Sequence, residues 1–429
     1  MMNKILYPKR EDWAKILERP VNKGEDLEKV CQAVFGEVMR DGDEALRKYT
    51  WYFDRVKMRD LEVTEEEFEI AGGEVTRELK EAIGLAKENI ERFHEVQLPG
   101  VNEYVNENGF RCWQEARAIN RVGLYVPGGS APLFSTVLML AVPARIAGCQ
   151  EVVICTPPGQ DGRVNPEILW TARLCGVNRV YKVGGIQAIA ALTLGTETIA
   201  RVDKIFGPGN RFVMAAKQMA GRYGVAIDMP AGPSELMIVA DESACSRFVA
   251  ADLLSQAEHG PDSQVVLVTC IEKLVEEVER ELREQLEKLP RKDIAERALS
   301  CSKYVVLSNL EECMEMANLY APEHLMLCVE DYMKWVPEVR NAGSVFLGNY
   351  STESAGDYAS GTNHTLPTNG YARAYSGVGI DSFMKKISFQ EIHREGLAYL
   401  GKTIEIMADN EKLTAHGNAV RVRNLDFKI

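Results

Sequence analysis

The sequence predicts an α/β protein with two Rossmann-like lobes, each an incomplete parallel sheet, and helical extensions at the N- and C-termini. Three observations lead there. From Val122 onward, short apolar runs of strand character alternate with helical stretches of about 10–13 residues, the pattern of right-handed βαβ units. That series runs through once and starts again near Leu236 with a similar rhythm, which suggests a structural repeat although no sequence repeat is visible. Before Val122 the apolar positions recur at helical spacing instead.

In chain order, residues 25–49 place Leu27, Val30, Val34 and Val38 on one helical stripe, and residues 75–96 do the same with Leu79, Ile83, Ala86, Ile90 and Phe93. The first 120 residues thus read mostly as helix, and His94 as a surface histidine at a helix end. At Val122 the period changes. VGLYV is a strand and PGGS (127–130) a turn, followed by a helix over 135–147. Strand EVVICT, helix NPEILWTARLCG, strand NRVYKVGG, helix QAIAALTLG, strand and turn VDKIFGPGN and helix FVMAAKQMAG complete the first series. The second opens at LMIVAD and continues through a helix over 244–258, SQVVLVTC, a charged helix over 272–286, KYVVLS, LEECMEMANLY, HLMLCV, a segment over 332–339 and GSVFLG. The tail from Asp381 reads as charged helix with no evident apolar face of its own, so it should pack on something else.

Composition narrows the class. The 429 residues are 46% hydrophobic and 26% charged, an ordinary globular balance sufficient for two or three domains. A net charge of −13 argues against nucleic acid as a partner. With no apolar run of membrane-spanning length and no signal-peptide core in MMNKILYPKREDW, neither a membrane span nor export is expected. The ten cysteines are scattered without a CxxC pair, and Cys155, Cys270 and Cys328 end apolar runs; they read as reduced core thiols of a cytoplasmic protein.

Chemistry concentrates in a few places. The stretch from Gly343 to Gly370 opens as a strand and becomes a long loop carrying Glu353, Asp357, Tyr358, Asn363 and His364, with small residues that would let backbone approach a ligand. In the first lobe, PGGS, VGGIQA (183–188) and GPGN (207–210) fall at successive strand ends, where turn amides and helix N-termini suit a nucleotide or another anion. None is a GxGxxG. In the second lobe Gln256 and His259 share a helical face, a spacing that can begin a metal site, and Glu323 and His324 stand side by side at a strand entrance, an acid and a base for proton transfer. His416 lies near the end with Glu411 five residues before it. These residue types favour a hydrolytic or redox enzyme with a borderline metal such as zinc and a nucleotide-type cofactor, without choosing between them.

The segments GLYVPGGSAPLFSTVLMLAVPARIAGC, VGGIQAIAAL, GPGN, DMPAGPSE, DLLSQAEHGPDSQ, APEHL, NAGSVFLG, GDYASGTNHTLPT and LTAHGNAVRVR resemble the histidinol dehydrogenase family, from about Gly123 to Arg423. The resemblance implies two NAD-dependent oxidations that turn L-histidinol into L-histidine through the aldehyde, the last step of histidine biosynthesis. It implies zinc held by Gln256, His259, Asp357 and His416, the last from the partner of an intertwined homodimer. Glu323 and His324 match its catalytic pair, and Tyr125, Gln187 and Asn210 its NAD contacts. Ser234, His364 and Glu411 match its substrate contacts, which His324 and the zinc ligands join. The domains expected on this basis are a helical arm over 1–23, a catalytic and zinc lobe over 24–122 plus 236–376, an NAD lobe over 123–235, and a tail over 377–429 that crosses to the partner subunit. Competing readings are a relative acting on another small alcohol, an aldehyde step through a thiohemiacetal on Cys149 or Cys155, and a non-catalytic binding scaffold. The intact set 323–324, 364 and 411 argues against the first and third, and the apolar setting of both thiols against the second.

Overall fold

Two parallel sheets with the same strand order carry the molecule. The computed structural model describes residues 2–20, 26–128 and 132–424. The first sheet runs, edge to edge, Arg179–Lys182, Glu151–Thr156, Arg121–Tyr125, Lys204–Phe206 and Ala226–Ile227. Counted along the chain this is 3-2-1-4-5, Rossmann order without its sixth strand. The second runs Asn3–Leu6, Lys303–Val306, Gln264–Thr269, Glu235–Ala240, His324–Cys328 and Ser344–Leu347. With the N-terminal strand set aside, the order is again 3-2-1-4-5, so the repeat suggested by the rhythm of the sequence is present in the topology. ELMIVA and QVVLVT are buried at every position, as strands covered on both faces must be.

Helices Ser246–Ala257, Glu272–Leu286 and Lys292–Ser300 cover one face of the second sheet. Leu310–Tyr320 covers the other, together with Trp13, Leu17 and Trp335. In the first lobe the helices on the sheet, Phe134–Ala147 and Gly185–Leu194, are buried nearly all round. A helix apolar on every side needs a second layer. Arg77–Glu95 supplies it over Phe134–Ala147, and Leu27–Asp41 over Gly185–Leu194. The helices of residues 27–95 therefore belong with the first lobe, not with the second as expected. The N-terminal arm also differs from the helical piece expected over 1–23. It begins as a strand paired with Lys303–Val306 and then buries Trp13 and Leu17 in the second lobe; its residues 21–23 lie outside the described residues.

A third sheet was not foreseen. Asn102–Asn106, Phe110–Ala118 and Met384–Ile392 form an antiparallel ribbon. So the first 120 residues are not all helical, and the tail starts as a strand before becoming the helices Arg394–Asn410 and Thr414–Asn424, which pack on each other. Within the long stretch, residues Glu353–Tyr358 form a short helix rather than loop. His94 is fully buried: its Nδ1 lies 2.8 Å from Ile90 O and its Nε2 3.4 Å from the Asn363 amide, so it is an internal strut and not a surface residue. All ten cysteines are free; five are buried, including Cys155 and Cys328, while Cys270 is half-buried and Cys112 and Cys301 are exposed. Among the described residues no helix is long and apolar enough to cross a membrane.

Candidate active site

The site assembles at the amino ends of two neighbouring strands of the second sheet. Strands Glu235–Ala240 and His324–Cys328 pair with His324 opposite Leu236, which sets Glu323 beside Glu235. The Glu235 N–H donates to Glu323 Oε2 at 2.8 Å, and the Glu235 carbonyl lies 3.2 Å from His324 Nδ1. A carbonyl can only accept, so Nδ1 carries the proton and Nε2 keeps its lone pair. That Nε2 faces Asp357, 3.9 Å from Oδ1. Burial holds His324 neutral, pushing its pKa down to about 4, and lifts Glu323 well above the usual carboxylate range. Gly343 makes the close packing possible, because a Cβ there would sit 2.6 Å from the Glu323 carbonyl oxygen.

Two helices bring the remaining groups. Ser246–Ala257 carries Gln256 in its last turn, fully buried with neither amide atom hydrogen-bonded, and His259 follows just past its end. Glu353–Tyr358 offers Glu353 and Asp357, four apart and so on one face. His259 Nε2 is 3.6 Å from Asp357 Oδ2, long for a hydrogen bond but close for an ion pair. One ligand atom each from His259, Glu353 and Asp357 lies within 4.8 Å of the others. Burial alone would raise Asp357, but His259, His324 and His364 hold it down at about 2. Burial, reinforced by Asp357, pushes Glu353 up to about 8. Ser255 Oγ donates to Glu353 Oε2 at 2.5 Å, while Oε1 is buried without a partner. In the sequence Glu353 is one polar residue among several of a long loop. Its spacing of four from Asp357 was the available signal, and the helix that gives it meaning was not foreseen.

The other expected residues are placed as follows. His364 Nδ1 is 2.9 Å from the Asp357 carbonyl and its Nε2 3.2 Å from Thr136 Oγ1, so the ring ties the Asp357 helix to the first lobe. Ser234 immediately precedes the strand that carries Glu235, and its carbonyl accepts the Gln264 N–H. At the carboxyl ends of the first sheet, the Tyr125 hydroxyl accepts the Gly185 N–H at 3.1 Å. Gln187 is buried with Oε1 unpaired, and Asn210 caps its helix by accepting from Phe212 and Val213 N–H. The Pro127-Gly128 end of PGGS is described; Gly129 and Ser130 lie outside the described residues. Glu411 and His416 are exposed on the C-terminal helical pair and are not part of the three-residue cluster. Cys149 and Cys155 do not suit a nucleophile: burial pushes the Cys149 thiol up to about 11 and Cys155 higher still.

Two doubly wound lobes, with glycine turns at the strand ends of one and a neutral histidine facing a carboxylate cluster in the other, define an α/β enzyme. The comparisons specify which. The histidinol dehydrogenase family model matches residues 17–424. The chain is similar to the histidinol dehydrogenase of Bacteroides fragilis, 56% identical over 98% of this chain and 99% of the relative. It is also similar to that of Salmonella typhimurium, 49% identical over 95% and 94%. The crystal structure of the histidinol dehydrogenase from Elizabethkingia anophelis superposes with a TM-score of 0.97 at 53% identity, covering 98% of both chains. The chain belongs to the histidinol dehydrogenase family, a family of oxidoreductases of histidine biosynthesis.

Proposed function

We propose that this protein is a zinc-containing, NAD-dependent histidinol dehydrogenase that oxidises L-histidinol to L-histidine through L-histidinal, in the cytoplasm and as an intertwined homodimer. The observation that carries the reading is the buried Gln256 amide, unpartnered on both atoms and three residues before His259, together with the His259–Glu353–Asp357 cluster, whose Asp357 faces a neutral His324. A buried amide left without partners is costly unless something else satisfies it. Imidazole nitrogen donors together with a carboxylate and an amide oxygen suit a borderline metal such as zinc. Gln256, His259 and Asp357 would hold it, with His416 supplied by the partner subunit; bound there, it would fix the imidazole and amine nitrogens of the substrate. Bound NAD would accept the electrons of both oxidations, with Tyr125, Gln187 and Asn210 at its turns.

The residues of this chain then divide the proton work. His324 Nε2, unprotonated at neutral pH, takes the alcohol proton in the first step. Glu323, made more basic by burial, takes a proton from the water that adds to the aldehyde in the second. Ser234, His364 and Glu411 complete the substrate pocket, Glu411 from the partner's tail. The C-terminal helical pair and the connection that carries Glu411 expose Tyr399, Ile406, Met407 and Leu413, apolar surface of the kind a partner subunit covers. NADH formation by the purified protein with histidinol, other amino alcohols and diols, alongside metal analysis, tests the assignment. Turnover of the other alcohols in preference to histidinol would overturn it.

A further inference from the structure

Glu235 is the point at which the catalytic pair is held, and it does so with every polar group it has. Its N–H holds Glu323 and its carbonyl holds the His324 ring. Its carboxylate, 3% exposed, accepts the Asn369 N–H at 2.8 Å, anchoring the far end of the loop that runs on from the Asp357 helix through His364. The other partner of that carboxylate is Arg19, from the N-terminal arm 216 residues away, which grips both oxygens through Nε and Nη2. Arg19 Nη2 also donates to the Tyr320 carbonyl at 2.9 Å, and the guanidinium stacks over the Tyr320 ring with its carbon 3.9 Å from the centroid. A planar two-pronged grip fixes a carboxylate in orientation as well as charge.

We propose that Arg19 is a positioning residue for the Glu323–His324 pair, acting through Glu235; this rests on the catalytic roles proposed above. Removing Arg19 leaves a buried carboxylate without its cation. Glu235 must then turn or take up a proton, and the strand end that fixes Glu323 and the His324 tautomer is released with it. Arg19 lines an open cleft of about 360 Å³ with Leu17, Tyr320, Asn369 and Arg373, so a small cation can enter from solvent once the side chain is gone.

The test uses the full-length, zinc-loaded enzyme. Arg19→Ala should lower kcat on histidinol and on histidinal by roughly ten- to a hundredfold, the usual cost of losing an outer-shell partner, with KM little changed. Methylguanidinium should restore much of the loss in a saturable way, and urea, of the same shape but uncharged, should not. In an E323Q background the same substitution should cost the aldehyde step less than about threefold, because the group it positions is already disabled. Arg19→Lys keeps the charge without the two-pronged grip, and should keep the melting temperature while giving an intermediate kcat. Full multiplication of the Arg19→Ala and E323Q losses, no rescue by methylguanidinium, or full kcat in the lysine variant would overturn the positioning role alone. A harmless E323Q would overturn the assignment of Glu323 and this inference together.

Discussion

Gln256 and Glu353 stand out at the site, because folding buries both amide atoms of the first and one carboxylate oxygen of the second without a partner. Such groups persist where a ligand completes them. The measurable consequence falls on their neighbours. His259→Ala or Asp357→Ala should lose zinc and activity while keeping the fold, and metal analysis showing full occupancy in these variants would remove them from the ligand set. The division of proton work predicts a split between half-reactions. Glu323→Gln should slow oxidation of supplied histidinal far more than the alcohol step, and His324→Ala should slow the alcohol step at least as much, each by roughly 10²–10⁴-fold. Equal, small losses on both substrates would contradict it. His94 belongs to stability instead. Its depressed pKa follows from burial, so below the ordinary histidine value of 6.5 the unfolded chain binds a proton that the folded chain resists. Stability should therefore fall as the pH drops through 6.5 toward the folded value. His94→Gln should flatten that fall, read as melting temperature at pH 7.5 and 5.5, and identical slopes would exclude the residue as a cause. The buried stripe Ile83, Ala86 and Ile90 continues four residues on to His94 and leaves Phe93 exposed, but the sequence could not name Asn363 as the partner, 269 positions away.

At the scale of elements, the buried strands of both parallel sheets were legible because a strand covered on both faces must be a continuous apolar run, whereas the exposed edge strand Asn3–Leu6 was not. The ribbon over 102–118 and 384–392 was not. It is largely exposed on both faces, so its pattern carries little burial signal; the Asn-Gly pair at 108–109, with Gly109 at φ 88, was the local cue. The destination of the helices over 27–95 was hidden differently. Their stripes reveal that something is covered, while the all-round apolarity of FSTVLMLAVPARIA and GIQAIAALTL is what names the surface in need of cover. Among the glycine-rich strand ends of the first lobe, the turn at 207–210 is held unusually firmly. Gly207 adopts φ 125; its N–H donates to Asp228, its carbonyl accepts from the buried Lys217, and these two side chains pair at 2.5 Å. A Cβ at 207 would collide with the Tyr125 carbonyl oxygen. Gly207→Ala should destabilise the protein by about 1–3 kcal/mol and weaken NAD binding, followed by denaturation and by titration with NAD. Unchanged NAD affinity would detach this turn from the cofactor.

For the whole molecule the decisive question is where Glu411 and His416 act. In one chain they sit exposed on a helical pair that packs chiefly on itself, and the His259–Glu353–Asp357 cluster assembles without them. If the fourth zinc ligand comes from His416, a second copy of the chain must deliver it, and each site is then made of one subunit's lobe and the other's tail. Two inactive variants separate this arrangement from a site completed within one chain. His416→Ala has an intact lobe and a damaged tail, whereas His259→Ala has a damaged lobe and an intact tail. Refolded together with free exchange, half of the dimers are mixed, and each mixed dimer joins one intact lobe to one intact tail while pairing both lesions in its other site. About a quarter of all sites should therefore recover activity and zinc. Truncation after Asp409 should remove zinc and weaken the dimer together, since the same segment serves both. Mixed dimers that are demonstrably present but recover no activity would place His416 in its own subunit's site, and the tail would have to fold back onto the lobe that carries Asp357.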